Sequence, residues 1–239
     1  MNVVHLCDCM DFMKGIPDRH YQLAIVDPPY GNGGGSAWAG KRQGRFGGIF
    51  DRYRTAPDDT RSCRASGGTW AKRYRVAGDR QANIASWDHA PGQDYFDELF
   101  RISENQIIWG GNYFGLPPTR CFVVWRKLTI SESFSMAMAE YAWCSFDSNA
   151  KVFEAAPQGT RRNPRIHPTQ KPVSLYKWLL GRYAKPGDLI FDSHVGSGSS
   201  RIACWDMGFD FEGCEISRTY WQGQEDRFRK HLGEEPRVA

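Results

Sequence analysis

The apolar run 23–26, Leu-Ala-Ile-Val, ends abruptly at Asp27-Pro28-Pro29-Tyr30, and this junction restricts the possible folds more than any other stretch of the chain. Four consecutive apolar residues, rich in β-branched types, suit a strand buried on both faces, as in a parallel sheet held between helices. Prolines carry no amide hydrogen and fix φ, so the strand must stop in a stiff turn that presents a carboxylate and an aromatic ring. Ligands of open α/β sheets bind at the carboxyl ends of the strands, which is where this turn falls.

The flanking pattern supports that class. Residues 2–6 read as a strand and 8–14 as a short helix broken by Gly15-Ile16-Pro17-Asp18; with 23–26 they make a βαβ unit, which implies that the two strands pair in parallel. Further along, apolar spacing predicts a helix over 94–102 and strands over 106–109, 121–125 and 141–146. It then predicts a helix over 173–184, a strand over 189–192, a helix over 200–207, a strand over 209–215 and a closing helix over 217–231. Residues 132–139 read as a short helix and 151–165 as a basic loop. For 239 residues this predicts a single α/β domain across 1–239, with a doubly wound, mostly parallel mixed sheet.

Residues 31–86 break the regularity. They are rich in glycine, and arginines alternate with Trp38, Phe46, Tyr53, Trp70 and Tyr74. Between residues 41 and 80 eleven Lys or Arg face four Asp, an excess of seven; the whole chain carries only +4, so the remainder stands at −3. A basic insert on a near-neutral scaffold suits a polyanionic partner: cations for phosphates, rings for bases, glycines for close backbone approach. The candidate DNA contacts are Lys41, Arg42, Arg45, Arg52, Arg54, Lys72, Arg73 and Arg75, joined by Arg161 and Arg162 in the later basic loop.

Seven scattered cysteines without a paired framework or zinc-type spacing point to a reducing compartment and to no metal site. With no long apolar run and no leader-like N-terminus, the expected location is the cytoplasm.

A second locus lies at 192–199, Asp-Ser-His-Val-Gly-Ser-Gly-Ser, between a predicted strand and a predicted helix. Glycines there let the backbone approach a nucleoside-containing ligand, and Glu215, 23 positions after Asp192 at the end of the next strand, is placed to accept bonds from ribose hydroxyls.

Asp27-Pro28-Pro29-Tyr30 resembles the catalytic motif of the amino-methyltransferases that modify adenine N6 or cytosine N4 in DNA. The 192–199 loop resembles their S-adenosylmethionine loop, Asp-Pro-Phe-x-Gly-Ser-Gly-Thr, with Ser193 for Pro, His194 for Phe and Ser199 for Thr. Residues 167–172, His-Pro-Thr-Gln-Lys-Pro, resemble the segment that lies near the methionine end of the cofactor. The catalytic turn precedes the cofactor loop, which is the order of the β-type, circularly permuted enzymes.

The resemblance implies an S-adenosylmethionine-dependent methyltransferase fold and a set of cofactor contacts: Asp8 to the adenine amine with the Cys9 amide beside it, Ile216 on the adenine ring, and Glu215 on the ribose. His167, Thr169 and Lys171 fall at the methionine end, and Asp192, His194, Gly196, Ser197 and Gly198 form the loop.

The implied chemistry is direct methyl transfer to an exocyclic amine. Such a nitrogen is a poor nucleophile because its lone pair is delocalised; the Asp27 carboxylate and the Pro28 carbonyl would accept its hydrogens, while Tyr30 would stack on a flipped base, with Pro29 stiffening the turn. Asp at the leading position favours adenine N6, since Ser is common in N4 enzymes. Cytosine N4, an RNA adenine, and a weakly active DNA-binding module remain open at this point. Target reading is expected from the short segment 147–166 or from the 31–86 insert, and the oligomer from monomer to homodimer.

Overall fold

The computed structural model describes residues 1–31, 89–133, 137–157 and 165–234. The chain divides into two units, one formed by Met1–Pro28 with Pro91–Ala239 and the other by Pro29–Ala90. Apart from Gly31, the basic insert, with all eight of its candidate DNA contacts, lies outside the described residues, as do Arg161 and Arg162.

The first unit is built on an eight-stranded sheet. Its strands are β1 (Asn2–Leu6), β2 (Tyr21–Val26), β3 (Ser103–Trp109), β4 (Phe122–Lys127), β5 (Ala139–Cys144), β6 (Lys151–Ala155), β7 (Leu189–Asp192) and β8 (Asp210–Glu215). They are ordered β1-β8-β7-β2-β3-β5-β4-β6. The first five positions are mutually parallel, β5 runs antiparallel to both of its neighbours, and β6 pairs parallel with β4. Among the described residues, five α-helices accompany the sheet: α1 (Cys9–Lys14), α2 (Gln93–Ile102), α3 (Val173–Tyr183), α4 (Ser199–Met207) and α5 (Arg218–Leu232).

Strand β2 explains why the pivotal apolar run lacks alternation. Leu23 and Ile25 enter one buried cluster with Leu175, Leu179, Leu180 and Ala203 of α3 and α4, while Ala24 and Val26 enter another with Met13, Tyr95, Phe96 and Leu99 of α1 and α2. A strand covered on both faces must be apolar at every position. No helix of the described residues is long and apolar enough to cross a membrane.

Three expectations need correction. Strands β1 and β2 are parallel but not neighbours, because β8 and β7 lie between them; the short α1 connection spans two strand positions rather than closing a paired unit. Residues 151–155, read as loop, form edge strand β6, whose Lys151, Val152 and Glu154 are exposed. An edge strand buries little, so its sequence lacks the apolar signature of an inner strand. The helix expected over 132–139 is absent from its described part: Glu132 and Ser133 are turn, and Ala139 opens β5.

Candidate active site

Parallel pairing aligns β1, β8, β7 and β2, so their carboxyl ends share one edge, and each end carries a carboxylate: Asp8, Glu215, Asp192 and Asp27. The register matches Ala24 with Phe191, which brings the Asp27 corner and the 192–198 turn side by side although they are distant in sequence. Residues 165–172 reach the same edge.

Asp192 is buried and shapes the turn. Its Oδ1 accepts the His194 amide at 3.0 Å and its Oδ2 accepts the Ser200 hydroxyl at 2.6 Å. Burial pushes its pKa up to about 7 against those two bonds. His194 also lies within the fold, its ring at 5.6 Å and edge-on to Tyr95, and Ser193 Oγ bonds both the His194 Nδ1 and the Tyr95 hydroxyl. Burial lowers the His194 pKa to about 4, so near neutrality it is an uncharged packing ring.

The turn then crosses Gly196 and Gly198, with φ of +52° and +74°, conformations that cost a residue with a Cβ. A Cβ on Gly196 would sit 3.6 Å from the His167 ring. Glu215 accepts the amides of Gly196 and Ser217, both at 2.9 Å, and burial raises its pKa. Next to it Ile216 is 65% exposed, an apolar side chain open to solvent at the end of β8. Asp8 caps α1 by accepting from the Met10 amide at 2.7 Å, and Cys9 opens that helix. Arg227 of α5 donates to the Ser197 carbonyl at 2.7 Å and to Ser199 Oγ at 2.9 Å, bracing the turn from beneath.

At the neighbouring corner Lys171 bridges the Asp27 carboxylate and Glu140 of β5, the latter at 3.2 Å. Burial works against the Lys171 charge, but the two carboxylates more than offset it and hold its pKa above the usual lysine value. His167 stands edge-on to Tyr220 with ring centroids 4.3 Å apart, and its Nδ1 lies 3.1 Å from the Thr169 hydroxyl. Burial, aided by Lys171 and Arg165, lowers its pKa to about 3.

The geometry thus brings together Asp27, Asp192, His194, Gly196, Ser197, Gly198, Glu215, Ile216, Asp8, Cys9, His167, Thr169 and Lys171 along one edge. Pro28 closes the first unit, and Pro29 and Tyr30 open the second. In that unit a Cβ on Gly31 would lie 3.0 Å from the Ala90 amide nitrogen, so residues 31 and 90 pass close to each other. Sequence reasoning missed Glu140, Lys127, Tyr95 and Arg227. Tyr95 was legible only as part of a core stripe, and Glu140, second residue of β5, precedes the apolar run of that strand, where a carboxylate has no period to betray it.

This fold and this edge define an α/β methyltransferase architecture. A DNA methylase family model covering the N6 and N4 enzymes matches residues 123–225. Type II methyltransferase M.HinfI of Haemophilus influenzae is 23% identical over 264 aligned positions, covering 96% of this chain and 69% of that protein. A 66-residue stretch is 32% identical to Type II methyltransferase M.HpaI of Haemophilus parainfluenzae, 28% of this chain and only 21% of that one.

Among solved structures, the M1.HpyAVI–SAM complex superposes with a TM-score of 0.52 at 16% identity, covering 95% of this chain and all of that one. The cytosine-N4-specific PvuII DNA methyltransferase gives 0.59 at 10% identity, covering 100% and 89%. Over residues 123–225 the chain is similar to the DNA methylase family of N6 and N4 enzymes, and along most of its length it resembles Type II methyltransferases at low identity. The matched stretch holds the 167–172 segment, the glycine turn and Glu215, but not the Asp27 corner.

Proposed function

We propose that this chain methylates DNA at adenine N6, with S-adenosylmethionine as cofactor and double-stranded DNA as partner. The observation that carries the reading is the adjacency of the Asp27 corner and the glycine turn on paired parallel strands. A methyl donor held at one meets an amine held at the other.

The edge fits the cofactor. Ile216 is an exposed apolar side chain beside a carboxylate, which an adenine ring would cover. Glu215 keeps further lone pairs for ribose hydroxyls after accepting two amides. Asp8 and the Cys9 amide would take the adenine edge, and the 192–198 turn with His167, Thr169 and Lys171 the remainder. When bound, the cofactor supplies an electrophilic methyl on a positively charged sulfur.

The chain's own residues do the rest. The Asp27 carboxylate and the Pro28 carbonyl accept the hydrogens of the amine, which draws its nitrogen toward tetrahedral geometry and frees the lone pair. Tyr30 stacks on the flipped base, and Asp27 or a water molecule takes the proton after attack. Fixed acceptors facing a nitrogen that gains positive charge, together with alignment, supply most of the rate. The Asp at the head of the turn favours adenine, by its resemblance to the N6 enzymes. The insert, Arg161 and Arg162 are assigned to phosphate and base contacts, and residues 147–166 with the insert to target reading.

Nucleoside mass spectrometry of duplex DNA after reaction with the cofactor tests this. N6-methyladenine is the expected product; N4-methylcytosine, or methylation of competing RNA in preference to DNA, would contradict it.

A further inference from the structure

Glu140 and Lys127 extend the Asp27–Lys171 pair and are not among the residues assigned above to the cofactor. Glu140 Oε1 lies 2.6 Å from Lys127 Nζ and its Oε2 3.2 Å from Lys171 Nζ, which in turn contacts Asp27. The result is a row of alternating charge: Lys127, Glu140, Lys171, Asp27. The two ammonium groups are sunk into the fold, with side-chain exposures of 6% for Lys127 and 2% for Lys171, while Asp27 at 14% and Glu140 at 24% are partly exposed. Each ammonium also lies over an indole, Lys171 at 5.2 Å from the Trp109 centroid and Lys127 at 5.3 Å from that of Trp125.

Topology makes the row possible. Strand β5 runs against its neighbours, so its first residues, Ala139 and Glu140, reach the edge where β2, β3 and β4 end. Burying two ammonium groups against partly desolvated carboxylates is costly, and apolar side chains would hold such a hairpin at least as well. The row therefore points to a task at Asp27 rather than to stability.

We propose that Glu140 and Lys127 are positioning residues that act through Lys171 to set how strongly the Asp27 carboxylate attracts a proton or an amine hydrogen. The inference rests on the role of Asp27 in the proposed function. Lys171 divides its positive charge between two carboxylates. When Glu140 loses its charge, Lys171 turns wholly to Asp27 and lowers its proton affinity. When Lys127 loses its charge, Glu140 draws Lys171 away and that affinity rises. The two substitutions act in opposite directions, which a purely structural contact would not do.

Among the described residues, further titratable groups coupled to Asp27 include Asp192 at the end of β7, Tyr95 of α2 and Tyr176 of α3, and those coupled to Lys171 include His167. They are common to every variant and so do not contribute to a difference between variants.

The test is a carbon-13 NMR titration of the Asp27 carboxyl carbon in the full chain without cofactor, assigned by loss of the signal in Asp27→Asn. In Glu140→Gln the midpoint should move down by about half a pH unit or more, and in Lys127→Met up by a similar amount. Movement in the same direction in both, or in neither, overturns the proposal. If Glu140→Gln does not fold, Lys127→Met decides alone by its direction, and Lys127→Arg should return the wild-type midpoint. Because no turnover is needed, opposite shifts in a chain that transfers no methyl group would sink the proposed function and leave the relay standing. DNA methylation with unmoved midpoints would sink the relay alone.

Discussion

His194 occupies the place of a phenylalanine in the loop it resembles, and its surroundings explain how an ionisable ring is tolerated there. Its folded pKa, about 4, lies below the unfolded value of about 6.5, so the folded state favours the neutral ring. Its contribution to stability is complete above the unfolded value and is lost as pH falls from about 6.5 toward about 4. His194→Phe should keep the edge-on contact with Tyr95 and remove about 1–3 kcal/mol of that acid-induced loss, read from denaturant midpoints at several pH values. Parallel pH profiles for variant and wild type would contradict it. Asp192 works in the opposite sense: its raised pKa means that stability is lost as pH rises toward about 7, a slope the variant leaves untouched. Glu215→Gln should weaken cofactor binding by about 10- to 100-fold by calorimetry, the worth of a charged acceptor. Unchanged affinity would remove Glu215 from the ribose site.

At the scale of the element, the glycine turn is the most constrained piece. Gly198 has φ of +74° and a Cβ there would come within 3.1 Å of the Gln224 side chain, so Gly198→Ala should cost about 1–3 kcal/mol in urea unfolding and lower cofactor affinity with it. An equally stable variant would mean that the turn relaxes freely. Elements with a continuous apolar run or a periodic apolar face were legible in the sequence, since β2 and β7 are buried on both faces and α2 and α3 bury one. The edge strand β6 was not, because Lys151, Val152 and Glu154 face solvent and leave no pattern. The start of β5 was hidden for a related reason: Glu140 needs Lys127 and Lys171 beside it, and both lie far from it in the chain.

Over the whole molecule, strand order does what no local pattern could. The Pro-stiffened turn and the glycine turn are each recognisable in the sequence, but only the pairing of β2 with β7 makes them neighbours. Short-range reasoning paired β1 with β2 instead, because it cannot see strands that enter from the far end of the chain. The excess of seven positive charges in residues 41–80 belongs to this scale as well. Neutralising Arg42 and Arg45 should weaken DNA binding and reduce the slope of log affinity against log salt by about 2. An unchanged slope would place those arginines away from phosphate.

The claim on which all of this depends is that Asp27 handles the amine beside a cofactor held by the glycine turn. Its most direct test is transfer of labelled methyl groups to duplex DNA by Asp27→Ala at saturating cofactor. Turnover should fall by about a thousandfold or more while calorimetry still reads cofactor binding; turnover near the wild-type rate would contradict the account.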